Sequence, residues 1–205
     1  MKKEKITERD REATERRLLS AMEALGRENG FEKIGVNAIS SYSGVSKILI
    51  YRYFGSVDGL KAAYIRRYDF WINFPQEMPG SEQLPDYLKE IFRRYADRLR
   101  SDLTMKRLYR WELHSDNEIV RELREQREQS GMALIVKISE MTGLPKEQIE
   151  MLATFLTATV AYLAMLEEHC SVYNGIPIGA STDWRRIYQG ADQIIDRFLS
   201  REKNI

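Results

Sequence analysis

Apolar residues recur along this chain at intervals of three and four, the spacing that places them on one side of an α-helix. Strict alternation of apolar and polar residues, the pattern of a half-buried strand, is almost absent. Only five prolines occur in 205 residues. The sequence therefore predicts an all-α fold.

Four helices are predicted before residue 73. Left-handed or capping residues mark their ends, because glycine tolerates positive φ and serine can cap a helix start. The last of the four is expected to run from Val57 to about Trp71, since a residue before proline disfavours helical geometry. The apolar, stop and capping residues of the first three are Leu18, Ala21, Met22, Leu25, Gly30, Val36, Ile39, Tyr42, Gly44, Ser46 and Phe54.

The stretch 73–85 holds three prolines and Gly80 and is the best candidate boundary between two regions. Beyond it, five further helices are predicted. The apolar residues that indicate them are Leu88, Ile91, Phe92, Tyr95 and Leu99; Leu108 and Trp111; those of 119–141; Leu152, Phe155, Leu156, Thr159, Leu163 and Leu166; and Ile187, Ala191, Ile194, Ile195, Phe198 and Leu199.

Net charge does not indicate a partner, but its distribution does. The chain has 32 basic and 31 acidic side chains, a formal net charge of +1, so a nucleic-acid footprint must be local. Residues 33–67 contain a single acid, Asp58, and a local balance of +5. The basic residues there are Lys33, Lys47, Arg52, Lys61, Arg66 and Arg67. Such a cluster on one face attracts phosphate.

Two short helices joined through Gly44, with Ser46 at the start of the second, have the size and turn chemistry of a helix-turn-helix. In that motif the second helix lies in the DNA major groove. The hydroxyls of Tyr51 and Tyr53 are neutral donors that can reach phosphate oxygens. The sequence thus predicts a DNA-binding motif at about 35–54.

The same segment resembles a known family. Gly30-Phe31-Glu32, Val36-Asn37-Ala38-Ile39, Gly44-Val45-Ser46-Lys47, Ile50-Tyr51-Arg52-Tyr53-Phe54 and Ser56 resemble the N-terminal domain of the TetR family of bacterial transcriptional regulators. The resemblance implies a helix-turn-helix domain at 10–56, a connecting helix at 57–72, and a ligand-binding and dimerisation domain at 73–205. It also implies a homodimer that leaves its operator DNA when a small effector binds.

Carried over to this sequence, the resemblance implies that Ser46 and Lys47 open the recognition helix, that Tyr51 and Tyr53 touch phosphates, and that Arg52 reaches a base or a phosphate. A supporting core would consist of Ile39, Val45, Ile50 and Phe54. The expected DNA-binding set is Asn37, Ser46, Lys47, Ile48, Leu49, Tyr51, Arg52, Tyr53 and Lys61.

The chain departs from the family pattern at Ile34-Gly35, Ile48-Leu49 and Val57, where the family usually has hydroxyl, small or lysine side chains. Each departure removes a possible phosphate or base contact. One consequence is operator reading through apolar contact with thymine methyl groups. The alternative is a TetR-like helical sensor or adaptor in which operator binding is weakened or lost.

An effector site is implied by the resemblance, and aromatic and sulfur side chains are its candidates because ligand sites are mostly apolar. These side chains, which fit a plain core equally well, are Tyr68, Trp71, Phe92, Tyr95, Trp111, His114, Met132, Phe155 and Tyr162. The fourth helix is expected to be the sole continuous rod that carries the effector signal to the DNA-binding unit.

The last two helices carry broad apolar surfaces, and the first of them is apolar nearly all round. A two-fold interface would bury these surfaces, and a palindromic operator needs a two-fold protein. The candidate interface residues are Leu152, Phe155, Leu156, Thr159, Leu163, Leu166, Ile187, Ala191, Ile194, Ile195 and Phe198.

Other classes of protein find little support. No phosphate loop, zinc-protease pair or nucleophile elbow is present, so no enzyme activity is expected. Neither cofactor nor metal is expected, because Glu168, His169 and Cys170 are adjacent and point in different directions on a helix. The longest uncharged run, 151–166, falls short of a membrane span and predicts a buried helix. The protein is expected to be cytoplasmic.

Overall fold

The computed structural model describes residues 8–75, 77–179 and 182–200, and these form nine α-helices and one two-stranded hairpin. The predicted all-helical architecture is confirmed. The helices are α1 Glu8–Asn29, α2 Val36–Ser43, α3 Lys47–Phe54, α4 Val57–Tyr68, α5 Leu84–Ser101, α6 Leu103–His114, α7 Glu118–Thr142, α8 Lys146–Leu166 and α9 Arg185–Ser200, with a 3-10 turn at Ser81–Gln83.

The chain divides into two compact units. Unit 1 comprises Met1–Asn73 and Arg107–Gln126, and unit 2 comprises Phe74–Lys106 and Arg127–Ile205. The division near residue 73 coincides with the proline-containing stretch singled out above. The sequence-based division assigned all residues after this stretch to one domain. The structure differs, because residues 107–126 pack into unit 1. Helices α6 and α7 therefore each have residues in both units.

Unit 1 is built on α1, which packs against α2 and α4. Gly30 ends α1 with a φ of 76°, as its place after Asn29 predicts. Gly26, one turn earlier, makes room for the ring of Phe31, since a Cβ there would lie 2.4 Å from the ring. The fully buried side chains of this core include Leu18, Met22, Phe31, Ile39, Ile50, Leu60, Tyr64 and Ile65.

The fourth helix ends three residues earlier than the sequence predicts. Asp69 leaves helical geometry with ψ at 134°, and its carboxylate accepts hydrogen bonds from the backbone N–H groups of Trp71 and Ile72 at 3.0 and 2.9 Å. The buried Asp69 also accepts a hydrogen bond from the Tyr109 hydroxyl. Trp71 therefore lies in a turn that Asp69 organises, and the expected helix from Val57 to Trp71 is corrected to Val57–Tyr68.

In unit 2, α5 packs its predicted apolar stripe against α8 and α9. Polar pairs of α5 and α9 run along their contact: Lys89 with Asp196, Arg93 with Asp192, and Asp97 with Tyr188. The α5 residues are four apart, and so are their partners in reverse order, as two antiparallel helices require. Burial and then the hydrogen bond to Asp97 raise the pKa of Tyr188 to about 12.

A buried ionic cluster closes the other end of this contact. The Glu167 carboxylate accepts hydrogen bonds from Arg100 Nε at 2.8 Å and Lys106 Nζ at 2.9 Å. Arg100 also lies 4.5 Å from the ring centre of buried Trp184 and donates to the carbonyl of Thr182. All of these charges are satisfied within unit 2, which is the condition for burying them.

Helix α8 is only partly covered. Met151, Phe155 and Tyr162 are 51, 63 and 50% exposed, whereas Leu152, Leu156 and Leu163 face the interior of unit 2. By length and composition α8 is the one helix, within the described residues, apolar enough to cross a membrane, and 33% of its most apolar window is buried. The expectation of a buried helix thus holds for one face of α8 and is wrong for the other in the single chain.

A short hairpin, β1 Val172–Tyr173 and β2 Ile176–Pro177, follows α8 and was not anticipated from the sequence. Asn174 and Gly175 connect the strands with φ values of 49° and 75°, as the favoured two-residue hairpin turn requires. The Tyr173 ring packs edge-on against Tyr162 of α8 at 5.7 Å between centroids. The hairpin is the one addition to the all-helical prediction.

Candidate nucleic-acid interface

The turn between α2 and α3 is closed by backbone and hydroxyl hydrogen bonds. Gly44 adopts a φ of 65° and its N–H donates to the carbonyl of Ser40. Ser40 Oγ donates to the carbonyl of Val45 at 2.8 Å, and Val45 itself is buried. The two short helices are therefore held at a fixed angle, as a helix-turn-helix requires.

Arg17 of α1 ties this turn to the rest of unit 1. Its Nη2 donates to the carbonyl of Ser43 at 2.6 Å and lies 3.0 Å from where a Cβ on Gly44 would be. A guanidinium satisfies an end carbonyl of α2 that would otherwise lack a partner within the helix. The sequence did not single out Arg17, because its partner is 26 residues away.

Helix α3 has a buried and an exposed side, as the resemblance implied. Ile50 is fully buried together with Ile39 of α2 and with Val45, while Phe54 is half-buried. On the opposite side Ile48 and Tyr51 are 76 and 51% exposed. Eight of the nine expected DNA-binding side chains are exposed or half-buried: Asn37, Ser46, Lys47, Ile48, Leu49, Tyr51, Arg52 and Tyr53.

Lys61 is the exception, and its expected role in binding DNA is wrong in this structure. Its side chain is 7% exposed, and its Nζ lies 3.0 Å from Asp58 Oδ1 and 4.4 Å from the ring centre of Trp111. Asp58 is held from its other oxygen by Asn117 Nδ2 at 3.1 Å. Because the Lys61 ammonium group contacts the Asp58 carboxylate and the face of the Trp111 ring, it is not available to bind a phosphate.

Ser46 occupies the cap position of α3 with extended backbone, yet its side chain makes no capping hydrogen bond. This corrects the expected side-chain cap. Ser56, at the start of α4, does cap its helix, accepting from the N–H of Gly59 at 2.9 Å. The Ser46 hydroxyl is exposed at the start of α3, where backbone N–H groups also point outward.

The local excess of positive charge is smaller than the sequence suggests. The pair of Lys61 with Asp58 lies inside the counted segment and leaves the balance of +5 unchanged. Arg66, however, donates to Glu122, which lies outside the segment, at 3.0 Å, and to Gln126 at 3.3 Å. Both Arg66 partners lie on α7, about 60 residues further along the chain. The remaining basic residues of 33–67 are exposed: Lys33, Lys47, Arg52 and Arg67.

Arg11 of α1 is a basic residue beside α3 that the sequence did not identify. Its guanidinium carbon lies 5.3 Å from the ring centre of Tyr53, and its Nε donates to Glu15 Oε1 at 2.8 Å. The hydrogen bond from Arg11 to Glu15 raises the pKa of the guanidinium, so its positive charge is fixed. The side chain is 58% exposed.

A pocket of about 360 Å³ opens within unit 1 beside α4. None of the nine expected effector residues lines it. Its walls are formed by Tyr53, Phe54, Gly59, Ala62, Ala63, Arg66, Ile119 and Glu122. The Arg66 to Glu122 ion pair forms part of these walls, so both charges are already neutralised by one another.

The expected effector residues are spread over both units. Tyr68, Trp71, Trp111 and His114 belong to unit 1, and the other five belong to unit 2. Trp111 is buried against Lys61. Within unit 2, Phe92 and Tyr95 are buried and Met132 is half-buried, whereas Phe155 and Tyr162 lie on the exposed face of α8.

The expected interface residues also divide by exposure. Four of them are buried within the single chain: Leu152, Leu156, Leu163 and Ile195. Three are exposed, namely Phe155, Thr159 and Ile194, and four are half-buried, namely Leu166, Ile187, Ala191 and Phe198. Met151, exposed on the same face of α8 as Phe155, was not singled out.

Metal-ligating side chains do not cluster. Within the described residues, no group of three or more His, Cys, Asp or Glu could hold an ion. Glu167 is engaged by Arg100 and Lys106, and the Cys170 thiol donates to the carbonyl of Val172. Glu167 and Cys170 are thus engaged in structural contacts.

Comparisons with known proteins agree with this geometry. The sequence model described as "Bacterial regulatory proteins, tetR family" matches residues 18–64, from the buried part of α1 to α4. No curated protein sequence matches the chain.

Solved structures match nearly the whole chain at low identity. A TetR transcriptional regulator from Agrobacterium tumefaciens has a TM-score of 0.64 and 18% identity, covering 92% of this chain and 94% of that one. NalD, the secondary repressor of the MexAB-OprM multidrug efflux pump in Pseudomonas aeruginosa, has a TM-score of 0.62 and 16% identity, covering 95% and 100%. GusR from Salmonella enterica has a TM-score of 0.63 and 23% identity, covering 95% and 98%.

Proposed function

Because residues 18–64 match the model of the tetR family of bacterial regulatory proteins, we propose that this chain is a transcriptional repressor that a small-molecule effector releases from its operator. The observation that carries the proposal is α3, an eight-residue helix whose Ile50 is buried while Lys47, Ile48, Tyr51 and Arg52 face outward. A helix presented this way fits the major groove. Such a protein acts in the cytoplasm, where DNA is accessible.

Base reading is proposed to rest on apolar contacts. Among the described residues of unit 1, Ile48 is the most exposed large apolar side chain, at 76%. An aliphatic side chain at this position complements the thymine methyl group in the major groove. Lys47 and the hydroxyls of Tyr51 and Tyr53 would then contact phosphates and set the register of the helix.

A variant at this position tests the base-reading proposal. We expect Ile48→Ala and Leu49→Ala to weaken binding to the operator and to flatten the preference at one A·T step, while binding to unrelated DNA stays as in the wild type. Band-shift titrations against operators substituted one base pair at a time measure this. An unchanged preference at every A·T step would contradict the proposal.

The operator is proposed to be palindromic and the protein a homodimer. Support comes from the exposed face of α8, which an isolated chain would leave in water, and from exposed Ile194 of α9. A second copy of the same chain presents the same face and can cover it about a two-fold axis. Two recognition helices about 34 to 36 Å apart then reach successive major grooves.

Release by an effector needs a ligand that favours one geometry of the dimer over another. The proposal places this ligand in unit 2, with candidate apolar contacts from the buried aromatic residues Phe92 and Tyr95 and the half-buried Met132. NalD is described as a repressor of a multidrug efflux pump, which makes repression the favoured sign here. Because α6 and α7 have residues in both units, they join α4 as candidate carriers of the signal.

The deciding experiment is selection of genomic fragments with the purified protein at moderate salt, followed by footprinting of the best fragment. We expect a protected palindrome with half-sites about one helical turn apart. If folded, dimeric protein enriches no fragment, DNA reading is overturned and a helical sensor is favoured. The apolar residues Ile48 and Leu49 would then explain the loss of operator binding. Equal operator affinity with and without an identified ligand would overturn effector release.

A further inference from the structure

Arg11 is placed where the first helix meets the DNA-reading helix. Its guanidinium carbon stands 5.3 Å from the ring centre of Tyr53, while 58% of the side chain remains in solvent. A guanidinium stacked on an aromatic face is held in one orientation and keeps its N–H groups at the edge, free to donate. The contact therefore presents a cation over the ring of Tyr53.

The hydrogen bonding of Arg11 leaves donors available. Its contact with Glu15 uses Nε, and within the described part of the chain no hydrogen bond from Nη1 or Nη2 is seen. Those two nitrogens can together bind the oxygens of one phosphate group. Glu15 sits on the following turn of α1 and orients the guanidinium from behind, as a carboxylate four residues away can.

Arg16 on the same helix shows what an ordinary surface arginine of α1 looks like. It pairs with Glu12 at 3.8 Å, and its side chain is 61% exposed. The two arginines thus match in helix, in their four-residue spacing from a glutamate and in exposure, although Arg16 lies further from its glutamate, which is 62% exposed where Glu15 is 32% exposed. Arg16 lies about 140° around the helix axis from Arg11. Of the two, it is Arg11 that stacks on α3.

We propose that Arg11 binds a DNA backbone phosphate next to the one that Tyr53 contacts, so that α1 is a third element of the DNA interface besides α2 and α3. This rests on the proposed DNA-binding function. It adds a residue from outside the helix-turn-helix to that interface, at a position where Tyr53 and Glu15 fix the direction of the guanidinium.

Salt dependence of binding separates a phosphate contact from a merely structural role. Each phosphate neutralised contributes about 0.9 to the slope of log affinity against log salt concentration. We expect Arg11→Gln to lower this slope by about 0.9 per subunit and to weaken binding about three- to tenfold at moderate salt. Arg11→Lys should keep the slope, because the charge remains, and lose part of the affinity, because the planar stacking is lost.

The measurement is fluorescence anisotropy of a labelled duplex of about 30 base pairs, titrated at salt concentrations of about 50 to 200 mM. A duplex of arbitrary sequence suffices, because phosphate contacts carry no sequence information. Arg16→Gln is the matched control and should leave the slope at the wild-type value. Thermal unfolding of each variant checks that α1 stays folded.

Three results would overturn the inference. Equal changes of the slope in Arg11→Gln and Arg16→Gln would make Arg11 an ordinary surface charge. Arg11→Gln could weaken binding with an unchanged slope, which would make it a residue that only positions Tyr53. If the wild-type protein binds neither this duplex nor any selected fragment, the proposed function fails and this inference with it, whereas the first two results leave DNA binding standing.

Discussion

Lys61 and Lys47 differ in what surrounds their ammonium groups. Lys61 is enclosed by Asp58 and the indole of Trp111, while Lys47 is exposed at the start of α3. We expect Lys61→Met to lower the free energy of unfolding by about 1 kcal/mol, because a desolvated ion pair and a cation–π contact are lost. Lys47→Met should change it by less than about 0.5 kcal/mol.

The same two variants should exchange roles when DNA is added. Lys47→Met is expected to reduce the salt slope of binding, and Lys61→Met to leave that slope unchanged. Chemical denaturation and anisotropy titrations measure the two properties. A reduced slope for Lys61→Met would contradict the buried position of its ammonium group.

Two serines at helix starts offer a second comparison. Ser56 accepts a hydrogen bond from Gly59 N–H, and Ser46 makes no such bond with its side chain. We expect Ser56→Ala to destabilise the protein by about 1 kcal/mol and Ser46→Ala by clearly less. Urea denaturation of the free protein is the measurement. Equal losses for the two variants would show that Ser46 caps α3 in solution.

The inner and outer sides of α3 could be predicted from the sequence, because Ile50 and Phe54 lie four residues apart and therefore on one side of a helix. The burial of Lys61 against Trp111 and the ion pair of Arg66 with Glu122 could not. Trp111 and Glu122 lie 50 or more residues further along the chain, and charge counted over residues 33–67 does not include Glu122. A local balance of +5 therefore overstated the charge available to DNA.

At the scale of elements, α9 is attached to α5 largely by polar pairs, since Ile195 is its one fully buried residue. We expect Arg93→Ala and Asp192→Ala to show a coupling of about 0.5 to 1 kcal/mol in a double-mutant cycle. The expected coupling energy is small because the Arg93 side chain is 42% exposed and solvent screens its charge. Amide hydrogen exchange in α9 should speed up in either single variant.

Arg98 and Asp102 provide the control for this prediction. Arg98 lies in α5 and Asp102 directly follows its last residue. The two form an ion pair at 3.4 Å that does not involve α9. Arg98→Ala should leave exchange in α9 at the wild-type rate. Additive effects of Arg93→Ala and Asp192→Ala, with no coupling beyond error, would mean that apolar packing alone holds α9.

Element boundaries followed the sequence where glycine determined them, as at Gly30 and Gly44. They departed from it where a side chain intervened. Asp69 ends α4 because its carboxylate accepts hydrogen bonds from two backbone N–H groups. An aspartate can also lie inside a helix without making such bonds, so the sequence alone does not predict this end. Asn174-Gly175 carried a hairpin signal, but strands of two residues are too short to show alternation.

At the scale of the whole molecule, the exposed face of α8 predicts a dimer that one charge can break. We expect Phe155→Glu to give a folded monomer by light scattering, with helix content unchanged, because Phe155 is 63% exposed in the single chain. Binding to a palindromic operator should weaken strongly, since one subunit reaches only one half-site.

Val136 of α7 serves as the control, because it is a 40% exposed apolar residue on another helix of unit 2. Val136→Glu should remain dimeric. A dimeric Phe155→Glu protein would place the interface elsewhere. Leu152→Glu is unsuitable for this test, because Leu152 is buried inside unit 2 and its replacement would unfold the chain.

The division into units was predictable near residue 73, where prolines and a glycine follow one another. The return of 107–126 to unit 1 was not, because it depends on single contacts between distant segments, such as Lys61 with Trp111 and Asp69 with Tyr109. Periodicity indicates which face of α6 is apolar and carries no information on which helix covers it.

The incomplete burial of α8 links the durability of this protein to its abundance. In the proposed dimer, Met151, Phe155 and Tyr162 would be desolvated only when a second copy is present, so part of the folding free energy would belong to the pair and grow with concentration. A cell with few copies would hold the less stable single chain and lose it sooner to proteases. The level of expression would thus set the lifetime of each molecule as well as the number of molecules.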